Sequence, residues 1–98
     1  MTSVEELAAR LKSSDPKVRR VAAIDLGAAG EAGLSVLLEH LPREADEKAA
    51  LLIIRRLGEA RLAAARAVLA RLRDDPKTRV KVYHAAVLAH DAVERATG

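Results

Sequence analysis

His40, His84 and His90 are the three side chains of this 98-residue chain that ordinarily titrate near neutrality, so proton transfer or metal ligation would start with them. His84 and His90 are six residues apart, about 240° around a helix, and cannot share one ion. His84 falls 31 residues after Ile53 and is expected to be partly buried in a last repeat, while His40 precedes Leu41-Pro42 at a helix end, where a cation suits the helix dipole. Cysteine is absent, which excludes disulfides and thiolate metal sites. Tyr83 is the single aromatic residue, so the chain has no stacking platform for single-stranded nucleic acid, and it has no Gly-rich phosphate loop. No nucleophile, base or ligand set converges by spacing. The expectation is a non-enzyme with no catalytic residue, no cofactor and no metal.

Basic side chains are the stronger functional signal, with 17 Lys plus Arg against 14 Asp plus Glu and a net charge of +3. Arg19, Arg20, Lys48, Arg55, Arg56, Arg79 and Lys81 fall on alternate helices and are the candidate partner-binding residues. Such a face would steer an acidic partner protein, or a phosphate backbone if the partner were nucleic acid. The plainer alternative is a solvated face with some structural ion pairs. In the last helix, Val80, His84, Val87 and Leu88 are expected to face the stack. A second apolar line, Val82, Ala86, Ala89 and Val93, is then the candidate interface with a partner or with a second copy in a homodimer.

The elements that must position these residues follow a repeat. Leu26-Gly27, Leu57-Gly58 and Leu88-Ala89 are spaced by 31 residues, and Val18, Ala49 and Val80 hold the same interval. A period of this length implies units that bury their apolar faces only by stacking on one another. The units run roughly 1–30, 31–58 and 59–98, together one domain. Ser3 with Glu6 forms a capping-box pattern ahead of helix one, about 4–12. Asp15-Pro16 starts helix two, which should end near Gly30. Leu34, Leu37, Leu38 and Leu41 mark helix three, ended by Pro42, and Asp46 caps helix four, which is apolar nearly all round over 49–54 as a central helix should be. Helix five runs from about 60 to 73. Asp75-Pro76 then repeats the cap two residues ahead of the ladder, so helix six should start early and, with Ala89 in place of glycine, run on past the usual stop. No strand-like alternation appears. The fold expected is all-α: a short α-solenoid of three antiparallel helix pairs, six helices in all.

The first residues carry Glu5 and Glu6 and no basic, then apolar, leader pattern, and no apolar run approaches the length of a membrane span. A cytoplasmic location with no membrane partner is expected. The segment Asp15-Pro16-Lys17-Val18-Arg19, followed by Ala22-Ala23 and Leu26-Gly27, resembles the HEAT-like repeat of the phycobilisome-lyase type. The resemblance implies a right-handed stack whose second helices, here two, four and six, line a concave face. It also implies that Arg19 braces an aspartate of the stack. Relatives of that type include protein-binding scaffolds, nucleic-acid-binding proteins and bilin lyases, and His90-Asp91 is similar to the metal-binding dipeptide of His-Asp phosphohydrolases. Protein binding is the first reading, nucleic-acid binding the second, and a lyase-like or metal-dependent accessory enzyme the third.

Overall fold

In the computed structural model, which describes residues 2–97, short polar connections break the chain into six α-helices and two single 3-10 turns, with no strand among the described residues. Helix α1 spans Val4–Arg10, α2 Pro16–Gly27, α3 Gly30–His40, α4 Glu47–Glu59, α5 Arg66–Asp74 and α6 Val80–Thr97. Local chemistry sets most of the starts. The Ser3 hydroxyl accepts from the Glu6 amide, Asp15 from the Lys17 amide, and Asp46 from the Ala49 amide, each satisfying a donor that the first helical turn leaves free. Pro16 occupies the first position of α2, where its missing N–H loses nothing.

Helices α2, α4 and α6 lie side by side, and α1, α3 and α5 pack beneath them. Two helix layers account for the shortest dimension of 14 Å, against 36 and 27 Å in the other directions. Between the layers sit Leu7, Leu26, Leu37, Ile53, Ile54, Leu57, Leu69 and Val93, all buried. Helix α4 is flanked by α2 and α6, which explains why Ala49, Ala50, Ile53 and Ile54 can all be apolar on one short segment.

Helix α2 ends at Gly27 rather than near Gly30, and Gly30 instead opens α3 with φ +77°. Helix α3 ends at His40, and Pro42 sits in the 3-10 turn Leu41–Arg43. Helix α5 is shorter than the apolar pattern suggests, because residues 63–65 form a 3-10 turn before it starts at Arg66. The largest departure is α6, which starts late, not early. The Asp75 carboxylate accepts from the Lys77 amide as Asp15 does from Lys17, but the Asp75 carbonyl then accepts from Thr78 three residues on, making a turn. The corresponding Asp15 carbonyl accepts from Arg19 four residues on and continues as helix. Residues 75–79 are spent as a connection.

That connection shifts the ladder. Leu26 and Leu57 are fully buried, yet Leu88 is 71% exposed and Val80 70%. Residues 36 positions beyond those of α4 occupy the equivalent core places in α6: Ala86 for Ala50, Ala89 for Ile53 and Val93 for Leu57, all buried. The line Val82, Ala86, Ala89 and Val93 is therefore core and cannot be the free interface, whereas Val80, His84 and Leu88 point to solvent instead of facing the stack. Helix α6 does run on past Ala89, to Thr97.

Candidate functional site

Four of the seven basic candidates are tied into the fold. The Glu44 side chain, with no exposed surface, accepts from Arg19 Nε at 3.1 Å, from His40 Nε2 at 2.8 Å and from the Asp46 amide at 2.9 Å. Burial pushes this carboxyl up, but the hydrogen bonds from His40, Asp46 and Arg19, with the guanidinium charge, outweigh it and hold the group below the usual glutamate value. Because an ionised carboxylate only accepts, His40 carries its proton on Nε2. Arg20 Nε reaches Asp46 at 3.0 Å. Asp46 is held below its usual value first by the Ala49 amide and then by Arg20. The Arg79 guanidinium donates to the Ala45 carbonyl, and Arg56 donates to the Gly27 carbonyl at the end of α2. These four cations stitch successive units together, which leaves fewer of their donors for a partner.

Among the described residues, Lys48, Arg55 and Lys81 remain exposed with no side-chain hydrogen bond or ion pair. Lys48 and Arg55 share the outward stripe of α4 with Leu52, at helical spacings of four and three. The matching stripe of α2 is Lys17, Val21 and Ile24, with Val21 57% and Ile24 54% exposed. That of α6 is His84, Leu88 and Asp91. The α2–α4–α6 face thus carries aliphatic side chains in every stripe, with cations beside them on α2 and α4.

Two grooves run between the stripes. Ala23 and Ile24 of α2 and Ala28 just after it, with Leu52 and Arg56 of α4, line a space of about 330 Å³. Between α4 and α6 the groove enlarges to about 580 Å³, with Arg55, Glu59 and Arg61 on one bank and Ala85, Leu88 and Ala92 on the other. Its floor is set by close helix approach. A Cβ on Gly58 would stand 2.9 Å from the Ala89 methyl, so glycine is what lets α6 approach α4 there. Arg61 follows α4 with φ 52°, closing the helix as a Schellman motif in which the Leu62 amide donates to Leu57 and the Arg61 amide to Gly58. Gly30 holds the same left-handed backbone 31 residues earlier.

His84 is exposed, not partly buried, and lies edge-on to Tyr83 at 5.3 Å between ring centroids. His90 is largely covered and lies between Arg73, 3.5 Å away, and Glu94, 3.8 Å away. Of the other arginines near α5, Arg66 pairs with Glu94 at 2.9 Å and Arg73 with Asp74 at 2.8 Å. No three His, Cys, Asp or Glu side chains among the described residues are grouped as metal ligands would be. No described helix is long and apolar enough to cross a membrane.

Glu44, Leu52, Ile24 and Arg61 are site or brace residues that spacing alone did not single out. The ladder held a signal for two of them: Arg61 stands one period after Gly30, and Leu52 one period after Val21. Glu44 had no such signal, since its partner Arg19 lies 25 residues away. No protein-family model matches the chain, and no curated protein or solved structure matches it.

Proposed function

We propose that the chain is a HEAT-like, non-catalytic protein-interaction module that binds an acidic partner protein on its α2–α4–α6 face. The observation that carries this reading is the coincidence, on one face, of cations free of internal partners with exposed aliphatic side chains: Lys48 and Arg55 beside Val21, Ile24 and Leu88. An interface core is apolar and its rim charged, and a basic rim favours encounter with acidic surfaces. Engagement of Arg19, Arg20, Arg56 and Arg79 in braces shrinks the free positive surface, which favours a protein over a phosphate backbone.

The test is differential capture from the cells that make the protein, comparing wild type with Lys48→Glu/Arg55→Glu, both exposed positions at which the fold should be unaffected. Proteins retained by the wild type and lost from the variant are the expected result. Equal retention overturns the reading, and retention of a labelled DNA duplex with steep salt dependence replaces it with the nucleic-acid one.

A further inference from the structure

The two grooves of the α2–α4–α6 face lie at successive steps of the array and differ in their banks and in what crosses their floors. Ile24 and Ala28 of the first become Arg55 and Glu59 of the second at the 31-residue interval, while Leu52 and Arg56 become Leu88 and Ala92 at the 36-residue interval. In the first groove Arg56 lies across the floor. Its Nε and Cγ stand 2.8 and 3.1 Å from where a Cβ on Gly27 would be, and its guanidinium donates to the Gly27 carbonyl. In the second groove Gly58 meets the Ala89 methyl instead, and the other α6 alanines that line it, Ala85 and Ala92, cannot reach across. The second groove holds about 580 Å³ against about 330 Å³ for the first, room for a bulky group.

The charges on the banks select what enters. Arg55 and Arg61 line the groove as cations, and its one carboxylate, Glu59, is already 3.9 Å from Arg56. Arg61 keeps its guanidinium there in a left-handed backbone conformation that glycine would hold without steric cost. We propose that the α4/α6 groove receives a bulky apolar side chain from an acidic amphipathic helix of a partner protein. The anchor lies over Ala85, Ala89 and Ala92, and carboxylates one turn to either side meet Arg55 and Arg61. Apolar anchors at helical spacing in a groove, with opposite charge at its edges, are the usual terms of helix recognition. This inference rests on the reading that the face binds an acidic protein, and it narrows that reading to one groove and one partner structure.

The probe is a fluorescein-labelled, end-capped designed peptide of about 16 residues, long enough to form helix. It carries one central phenylalanine flanked by glutamates, and is compared with a lysine-for-glutamate twin and an alanine-for-phenylalanine twin. Polarisation should show saturable binding of the first peptide only, with amide shifts concentrated at Ala85, Ala89 and Ala92. Ala92→Arg, which puts a long side chain into the groove, should weaken binding at least about tenfold, as should Arg55→Glu/Arg61→Glu through lost charge-assisted contacts. Leu88→Arg, at a 71% exposed rim position, is a second block that does not disturb the core. Absence of binding, equal binding of either twin, or indifference to both Ala92→Arg and Leu88→Arg overturns the groove assignment. If Lys48→Glu/Arg55→Glu still abolishes capture of the cellular partner in that case, the broader reading stands and the groove alone is refuted.

Discussion

Glu44→Ala is expected to destabilise the fold by about 3–5 kcal/mol, the range for breaking a buried ion pair by removing one partner. The carboxylate has no exposed surface and accepts three donors, from Arg19, His40 and the Asp46 amide, at 2.8 to 3.2 Å. Its removal leaves the Asp46 amide without this acceptor and Arg19 with only the Ser13 carbonyl, at 2.8 Å. Because the Arg19 side chain keeps 15% exposure and that carbonyl, the lower end of the range applies. Against a total of about 5–15 kcal/mol for a domain of this size, the loss is large and measurable. Urea unfolding followed by far-UV circular dichroism should show a lower midpoint at unchanged slope. Glu44→Gln keeps the shape but not the charge and should lose about 1.5–3 kcal/mol. The pH dependence supplies a second readout. Glu44 titrates lower in the folded chain than in the unfolded one, so its contribution is fully present above the unfolded value of about 4.3 and is lost as pH falls from there through the folded value. The wild type should therefore lose more stability than Glu44→Gln below about pH 4.3. A change within about 0.5 kcal/mol for Glu44→Ala, the ordinary range for surface substitutions, or identical acid profiles for wild type and Glu44→Gln, would refute the brace.

Leu57→Ala should cost about 2–5 kcal/mol as a core truncation, while Leu88→Ala, one ladder period later, should change stability by less than about 0.5 kcal/mol. Similar losses from thermal or urea melts of the two variants would contradict the five-residue shift of α6. Gly58→Ala sets a gain in helix propensity of about 1 kcal/mol against crowding on Ala89 worth about 1–3 kcal/mol. A net loss of stability is expected, and a stabilised variant would show that α4 and α6 are not pressed together at that point.

Where the structure is governed by neighbours in the chain, it was readable from the sequence. Ser3, Asp15 and Asp46 cap helices because their carboxylate or hydroxyl oxygens reach amides two or three residues on, and Leu26 and Leu57 are buried because they recur with a complete next unit above them. Asp75-Pro76 carries the same local signal and makes the same side-chain hydrogen bond as Asp15, yet the helix does not start there. Arg79, held to the Ala45 carbonyl, belongs to the connection across to the preceding unit, and local pattern carries no trace of that contact. The extent of the free basic face is hidden from local pattern for the same reason. Arg19 and Glu44, Arg20 and Asp46, and Arg56 and Gly27 are 25 to 29 residues apart, so the composition counts them as surface charge although the fold consumes them. The α4/α6 groove depends on the 36-residue offset of α6, which a fixed period does not contain.

The place of α4 between α2 and α6 also sets the order in which the chain should open. Helix α1 is a seven-residue segment at one end, packed mainly on α2, so it can fray alone, whereas α6 at the other end packs on both α4 and α5. Opening α4 removes the packing surface of both neighbours at once and amounts to global unfolding. Backbone amides of Ile53, Ile54 and Leu57 should then exchange with solvent only through complete unfolding, while those of α1 exchange through local excursions. A binding face built on α2, α4 and α6 therefore rests on helices that each pack on at least two others, and the end that frays first lies in the layer beneath it.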